Sequence, residues 1–215
     1  MRFAELRAIL ADPPLRLPPP PRGLLPVLLP GDAGTPPAVP DVPAGPRRDA
    51  AVLILFYPGP DGEARLVLTE RSKGGHRHAG QISFPGGAMD DGEGIPEAAL
   101  REAGEEIGLV AAQAEVVIVG SVAPVDVRVS GFRVHPVLAT ALRAPALVAD
   151  GREVAAIIHA PVALFMPGVP IVVETAEREG MRLRYGAYAV DEHRVWGATA
   201  MILGSLGEWL GGRRS

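Results

Sequence analysis

Proline is concentrated near the start of this chain, where thirteen of its 23 prolines lie between residues 13 and 46. Proline lacks a backbone N–H and fixes φ, so this stretch cannot complete a helix or a central strand. The segment before it places Phe3, Leu6 and Leu10 on one face, beside Ile9, which predicts a short helix over residues 1–11. We therefore predict an N-terminal helix and Pro-rich connector at residues 1–47, and a globular domain at residues 48–212. A disordered tail remains the alternative for the connector.

The globular part carries more strand patterns than helix patterns, and the two kinds are interspersed. Strands are expected at 51–57, 64–69, 82–84, 116–122, 132–140, 154–159, 171–174, 181–185 and 193–196, and helices at 96–107 and 199–210. Pro96 suits the first turn of the central helix, and Gly108 suits its C-terminal stop. This order favours an α+β or α/β arrangement of layers.

Composition excludes several classes of protein. The chain has no cysteine, which removes disulfides, thiolate zinc sites and cysteine nucleophiles. The net charge is −4, so non-specific binding to nucleic acid is not expected. No apolar run approaches the roughly 20 residues of a membrane helix, and the charged N-terminus lacks the apolar core of a signal peptide. We expect a soluble, cytoplasmic protein with no nucleic-acid or membrane partner, either a monomer or a homodimer.

Acidic residues are concentrated in and before the central helix. Seven acidic residues and a single basic one, Arg101, lie between Met89 and Glu106. Glu102, Glu105 and Glu106 occupy positions i, i+3 and i+4, so their carboxylates share one helix face. Such a face is either a solvated surface or a site for a hard divalent cation that relieves the repulsion.

Arg101 lies one position round this helix, with Glu97 four residues before it and Glu105 four residues after it. It is therefore expected to pair with and orient a carboxylate.

The acidic helix is part of a longer pattern of residues at fixed spacing. The pattern reads Gly87, five residues, Glu93, seven residues, Arg101-Glu102, two residues, Glu105-Glu106, one residue, Gly108 and Leu109.

This pattern resembles the Nudix box, GX5EX7REUXEEXGU, in which U is aliphatic. Seven fixed residue types at this spacing arise by chance in on the order of one chain per million of this length. Two positions depart mildly from the pattern. Ala103 stands where a larger aliphatic residue is usual, and Gly104 weakens the helix interior by about 1 kcal/mol.

The resemblance implies an α/β fold, a Nudix-type α/β/α sandwich with a mixed sheet, in which the box forms a loop-helix-loop motif. It implies Glu102 and Glu106 as the main metal ligands. It implies that Glu105 is a third ligand or a carboxylate that activates water. It also implies that the carbonyl of Gly86 or Gly87 is an additional oxygen ligand. The implied cofactor is Mg²⁺ or Mn²⁺.

The resemblance also implies that Glu93 and Arg101 hold the loop and the helix together. The catalytic set is then Glu93, Arg101, Glu102 and Glu105. This assignment agrees with the chemistry of a diphosphate, which repels hydroxide until bound cations neutralise its oxygens and acidify a ligated water.

A second motif precedes the box. Residues 68–72 (LTERS) and 78–87 (HAGQISFPGG) are similar to the segment before the box in the coenzyme A pyrophosphatase branch of the Nudix family. From it, Arg71, His78 and Ser83 are expected to bind the substrate, since a polyphosphate needs cationic or hydrogen-bonding groups beside the metal. At residues 75–76 the branch usually has Leu-Arg, whereas this chain has Gly-His.

The expected function is metal-dependent hydrolysis of the diphosphate of coenzyme A or its derivatives, giving 3′,5′-ADP and 4′-phosphopantetheine. The alternatives are hydrolysis of another nucleoside diphosphate derivative, such as NADH or ADP-ribose, and a non-catalytic Nudix-fold binding module.

Two further residues each allow two interpretations from the sequence. Glu153 is expected as a cap or salt-bridge partner, with an acidic role near the metal as the alternative. Trp196 is expected in the core, with stacking on a ligand as the alternative.

Overall fold

The computed structural model describes residues 1–29, 47–72, 80–127, 130–178 and 181–213. Its three α-helices are α1 (Phe3–Leu10), α2 (Ile95–Ile107) and α3 (Gly197–Gly212). Its strands are β1 (Val27–Leu29), β2 (Arg48–Pro58), β3 (Ala64–Arg71), β4 (Ile82–Ser83), β5 (Gly86–Ala88), β6 (Val116–Ser121), β7 (Val125–Val127), β8 (Phe132–Ala141), β9 (Val154–Pro161), β10 (Val172–Arg178), β11 (Met181–Val190) and β12 (His193–Trp196). Short 3₁₀ turns lie at Arg22–Leu24 and Val162–Phe165.

The described residues form two compact units. The first contains those of Met1–Leu17 and Pro46–Ala163, and the second those of Pro18–Gly45 and Leu164–Ser215. The boundary predicted between residues 47 and 48 stays a prediction. None of the helices in the described ranges combines the length and apolar content that crossing a bilayer requires.

The first unit is built on a mixed sheet. Its strands run in the order β4-β3-β2-β8-β6, with β5 also paired to β2, β7 to β8 and β9 to β3. Strands β2 and β8 are parallel over nine residue pairs, and the other pairs are antiparallel. Residues 53–57 of β2 are buried on both faces, as expected for a central strand that reads as a continuous apolar run. The expected α/β class with a mixed sheet is confirmed.

Helix α2 packs one face on this sheet through small and aliphatic side chains. The buried apolar residues of the helix are Ala98, Ala99, Ala103 and Ile107, which join the core that contains Leu53. Ala103 is fully buried, so the small side chain at this position suits a close approach of the helix to the sheet. The predicted boundaries of the helix are confirmed, with a proline in the first turn and Gly108 at φ 63° after the last.

Helix α1 packs against β3 in the same unit. Phe3, Leu6 and Leu10 are buried, which confirms the predicted apolar face, and Ile9 is half-buried beside them. The N-terminal ammonium lies 2.7 Å from the Glu63 carboxylate, which fixes the start of the helix to the β2–β3 turn.

The second unit contains a four-stranded antiparallel sheet and α3. Strands β1 and β10 pair with β11 on either side, and β12 also pairs with β11. Strand β1 lies inside the Pro-rich segment that the sequence assigned to a connector. It forms there because its three residues, Val27–Leu29, follow Pro26 and keep their N–H groups for pairing with β11.

Candidate active site

The acidic helix face meets the sheet at the start of β5. Glu106 belongs to the same buried stripe of α2 as Ala99 and Ala103, and its exposure is only 6%. Its Oε2 accepts a hydrogen bond from the Gly86 N–H at 2.9 Å. Gly86 has φ 150°, and a Cβ there would overlap the carbonyl of Ala51 on the paired strand β2. Glycine is therefore required where the backbone reaches Glu106.

Glu102, one turn earlier on α2, lies against the next residue of the same strand. A Cβ at Gly87 would be only 2.5 Å from the Glu102 Oε2 atom. The two glycines that begin β5 thus allow its backbone to approach both carboxylates closely. The structure brings Glu102 and Glu106 together beside Gly86, which contacts Glu106 through its N–H rather than through the carbonyl expected to ligate the metal, and Glu105 lies close enough for its charge to act on Glu102.

Arg101 ties the loop before α2 to the helix. Its Nε and Nη2 donate to the two carboxylate oxygens of Glu93 at 2.8 and 3.0 Å, and its Nη2 also donates to the Ala88 carbonyl at 3.1 Å. Its Nη1 donates to Glu102 Oε1 at 2.9 Å. A guanidinium is suited to this work because its donors lie in one rigid plane.

The partners of Arg101 differ in part from those expected from helical spacing. Glu105 is at the limit of hydrogen bonding, 3.5 Å from Arg101 Nη1, and its side chain is 63% exposed. The carboxylate of Glu97 lies against Gly94 at the start of the helix instead. Glu93, the partner that the resemblance implies, binds Arg101 where helical spacing alone would place Glu97, because the loop folds back on the helix and presents both oxygens to the guanidinium.

The ion pairs and the burial shift the pKa values of the site in opposite directions. The hydrogen bonds from Arg101, and one from the Asp90 N–H, lower the pKa of Glu93 to about 2. The same pair with Glu93 raises the pKa of Arg101. Glu93 and Arg101 therefore stay fully charged at neutral pH.

Glu102 and Glu106 show the reverse behaviour. Burial raises the pKa of Glu106 to about 7, helped by the negative charges of Glu102 and Glu153 and opposed by the Gly86 N–H and by Arg71. Burial also raises the pKa of Glu102, although its bond to Arg101 opposes the change. Both carboxylates thus lie where negative charge is costly, and a nearby cation would stabilise the charged forms.

These residues fit a divalent metal ion. Glu102 uses one oxygen for Arg101 and Glu106 uses one for Gly86, which leaves each carboxylate a second oxygen. Within the described ranges, three acidic or histidine side chains do not converge closely enough to chelate an ion alone. That agrees with Mg²⁺-type sites, which commonly use one or two carboxylates and complete their octahedron with water and substrate phosphate.

Of the three residues expected to bind the substrate, Arg71 and Ser83 lie in the described part of the chain and His78 does not. The positive charge of Arg71, at the end of β3, lies close enough to lower the pKa of Glu106. The hydroxyl of Ser83 lies 3.2 Å from the hydroxyl of the buried Thr69 on the paired strand β3. His78, together with the rest of the basic segment at residues 73–79, lies outside the described residues.

The turn that carries Glu153 lies near the acidic pair, and the sequence gives only a weak indication of it. Residues 150–153 form a turn before β9, and the charge of Glu153 raises the pKa values of both Glu102 and Glu106. Glu153 lies close enough to act on both carboxylates, as in the alternative acidic role, and its expected role as a cap or salt-bridge partner stays a prediction. Asp150 provides the cap of this turn, because its carboxylate accepts the N–H groups of Glu153 and Val154. The Asp-Gly pair at residues 150–151 is the turn signal that points to it.

Comparison with known proteins gives matches over much of the chain. The profile of the NUDIX domain matches residues 46–157. An uncharacterized Nudix hydrolase, NudL of Escherichia coli O7:K1, is 36% identical over 166 residues, which span 77% of this chain and 84% of the relative. NudL of Shigella boydii serotype 4 matches with the same identity and coverage.

Solved structures with similar folds include the Nudix hydrolase RenU of M. smegmatis, at 30% identity and a TM-score of 0.47, covering 57% of this chain and 79% of RenU. A MutT/nudix family protein from Enterococcus faecalis has 19% identity and a TM-score of 0.49, covering 74% of this chain and 60% of that protein. Assignment to a family rests on the sequence matches rather than on these scores.

Proposed function

The chain belongs to the Nudix hydrolase family, whose members are pyrophosphohydrolases of nucleoside diphosphate derivatives that generally need a divalent metal, and on that premise we propose that its substrate is coenzyme A or a derivative. Hydrolysis of the diphosphate would release 3′,5′-ADP and 4′-phosphopantetheine. The main support is the motif at residues 68–72 and 78–87, because its cation Arg71 lies close to the box carboxylate Glu106.

In this proposal the acidic pair Glu102 and Glu106 holds Mg²⁺ or Mn²⁺. When bound, the cation neutralises charge on the diphosphate oxygens and lowers the pKa of a ligated water. Arg101 and Glu93 keep the two carboxylates in place by tying the loop to the helix. The largely exposed Glu105 acts as a third ligand or accepts a proton from the attacking water.

Arg71, Ser83 and His78 bind the substrate in this proposal. A diphosphate between metal ions still presents oxygens on its far side, and a guanidinium can bind two of them at once. Arg71 is well situated for this role because its positive charge lies close enough to Glu106 to lower the pKa of that carboxyl group. The absence of nucleic-acid and membrane partners, the monomer or homodimer state and the cytoplasmic location stay predictions.

Two alternatives remain distinct from this proposal. NADH or ADP-ribose would present the same diphosphate to the same carboxylates, without a 3′-phosphate. A non-catalytic binding module would need only part of the acidic set. The five residues Glu93, Arg101, Glu102, Glu105 and Glu106 are all present, which favours an enzyme over a binder.

A product-resolved screen tests the proposal. Coenzyme A, 3′-dephospho-coenzyme A, ADP-ribose and NADH are each incubated with Mg²⁺ or Mn²⁺, and the products are separated by chromatography. We expect 3′,5′-ADP and 4′-phosphopantetheine in equal amounts, with coenzyme A turned over fastest. Faster hydrolysis of ADP-ribose or NADH would favour the rival substrates, and binding of nucleotides without any product would favour the module.

Matched arginine variants test the role of Arg71. Arg71→Ala should raise the KM for coenzyme A by about tenfold, because a charged hydrogen bond to phosphate contributes about 1.5 kcal/mol or more. Arg133→Ala is the control, because Arg133 is a half-exposed arginine of the same unit that pairs with Asp126. Equal KM values in the two variants would remove Arg71 from the substrate site.

A further inference from the structure

The turn at residues 150–154 is organised by a single carboxylate. Asp150 accepts the N–H of Glu153 at 3.1 Å through Oδ1 and at 3.2 Å through Oδ2, and the N–H of Val154 at 2.9 Å through Oδ1. Gly151, at φ 75°, allows the chain to reverse between the carboxylate and the N–H groups that it accepts. The Asp150 side chain is 14% exposed, and these bonds lower the pKa of its carboxyl group.

The turn is also anchored to two elements of the acidic site. The Asp150 N–H donates to the backbone carbonyl of Glu106 at 3.0 Å, next to the last residue of α2. The Glu153 carbonyl accepts the N–H of Ser72, directly after Arg71 at the end of β3, at 2.8 Å. The turn therefore links the carboxylate end of α2 to the strand end that carries Arg71.

The side chain that this turn presents is acidic and exposed. The negative charge of Glu153 acts on both Glu102 and Glu106 and raises the pKa of each. Glu153 comes from a different element, about 50 residues further along the chain. The backbone of Glu153 is held on both sides, by the Asp150 carboxylate through its N–H and by Ser72 through its carbonyl, so the turn and the end of β3 together set where this side chain starts.

We propose that Asp150 is a positioning residue of the acidic site: through its bonds to the backbone of Glu153 and Val154 it holds Glu153 facing Glu102 and Glu106. Asp150 does not touch the metal or the substrate in this proposal. It sets the position of the Glu153 carboxylate and fixes the turn against the backbone of Glu106. The inference rests on the proposed function in one respect, namely that Glu102 and Glu106 hold a divalent metal.

The first test measures metal affinity without substrate. Binding of Mn²⁺ to the whole chain is followed by the electron paramagnetic resonance signal of free Mn²⁺ in wild type, Asp150→Ala and Asp150→Asn. Groups that orient metal ligands typically change affinity by about 10–100-fold when removed, so Asp150→Ala should weaken Mn²⁺ binding by about tenfold or more. Asp150→Asn keeps one carbonyl oxygen for the Val154 N–H, so it should bind Mn²⁺ more tightly than Asp150→Ala.

The second test asks whether Asp150 acts through Glu153. Glu153→Gln should itself weaken Mn²⁺ binding, because a negative charge facing the pair is lost. If Asp150 acts only by placing Glu153, then Asp150→Ala should weaken binding by less than about twofold when it is added to Glu153→Gln. Full additivity of the two changes, or wild-type affinity in Glu153→Gln, would overturn the proposal.

Asp61 provides the matched control. Its carboxylate accepts the Glu63 N–H at 3.0 Å in the turn between β2 and β3, at the opposite end of β3 from Ser72. Asp61→Ala and Asp150→Ala should both lower the melting temperature, but only Asp150→Ala should weaken Mn²⁺ binding and lower kcat with little change in KM. Equal effects of the two variants on Mn²⁺ affinity would assign Asp150 a general structural role. Failure of the wild type to bind Mn²⁺ would instead contradict the proposed function itself.

Discussion

Arg101 shows how much of the site depends on the geometry of one side chain. Its guanidinium donates to Glu93, Glu102 and the Ala88 carbonyl at the same time, so it orders the loop, the helix and β5 together. A lysine keeps the charge but cannot make the paired bonds to both oxygens of Glu93.

Arg101→Lys is therefore expected to lower turnover by about tenfold or more and to lower the melting temperature. Both quantities are measured on the same preparation, with Arg133→Lys as the control on a surface ion pair. Wild-type turnover in Arg101→Lys would show that charge alone suffices at this position.

Glu93 gives the site a defined dependence on pH. Its pKa in the folded protein is about 2, below the ordinary value of 4.5. A carboxylate with a lowered folded-state pKa stabilises the fold above its unfolded-state pKa, and this contribution is lost as the pH falls from about 4.5 towards 2.

Glu93→Gln should thus be less stable than wild type at pH 7, and the difference should shrink as the pH falls through this window. Urea unfolding of both proteins between pH 7 and pH 2.5 measures it. A difference that stays constant across the window would mean that the charge of Glu93 does not stabilise the fold.

The sequence predicts the members of the acidic set better than their contacts. The spacing of Glu102 and Glu106 places them on one face of α2, and this follows from helical geometry alone. The bonds between Arg101 and Glu93 span eight residues and depend on how the loop folds back, which no periodicity encodes. The turn at Asp150 reaches the site through the pairing of β9 with β3 and through its backbone bond to Glu106, so local sequence could not place it there.

Glycines in the two long helices differ in what surrounds them. A Cβ added to Gly104 in α2 would meet the Leu109 carbonyl at an ordinary 3.7 Å, whereas one added to Gly207 in α3 would overlap the carbonyl of Phe165. Glycine costs a helix interior about 1 kcal/mol relative to alanine, so the substitution is favourable where the added methyl group meets its neighbours at an ordinary contact distance. A clash with backbone makes it unfavourable, because the helix must move away from its neighbour.

Gly104→Ala is expected to increase the free energy of unfolding by about 0.5–1 kcal/mol. Gly207→Ala should decrease it by about 1–3 kcal/mol or more. Chemical denaturation of both variants measures the two changes, and a loss of stability in Gly104→Ala would contradict the ordinary contact distance found beside that residue.

Elements with strong patterns were predicted closely, and short ones were not. Helix α2 begins and ends where Pro96 and Gly108 indicate, and β2 and β8 follow their apolar runs. Strands β1, β5 and β7 have three residues each, too few for a periodic pattern, and form because a longer strand offers them a partner. The strand expected at residues 82–84 is the two-residue β4, which pairs with β3, whereas β5 at Gly86–Ala88 was not predicted and pairs with β2.

At the scale of the molecule, the site is assembled within the first unit from segments that lie far apart in sequence. Helix α2 supplies the acidic pair, β5 supplies the backbone beside it, and the ends of β3 and β9 supply Arg71 and Glu153. The mixed sheet brings these segments to one place, and burial beside it raises the pKa of Glu106 to about 7. The fold thus creates a site where a divalent cation, as proposed, would compensate the negative charges of Glu102 and Glu106.

Glu106→Gln tests this account most directly, with Glu97→Gln as the same substitution elsewhere on α2. Glutamine keeps the size of the side chain and an oxygen for the Gly86 N–H, so the fold should survive. Turnover of coenzyme A with Mn²⁺ is measured for both variants and wild type. The account predicts a loss of roughly 10²-fold or more in Glu106→Gln, since a metal site supplies several kcal/mol to the transition state, and near-normal turnover in Glu97→Gln. Wild-type turnover in Glu106→Gln would contradict the account, because Glu106 could not then hold the catalytic metal.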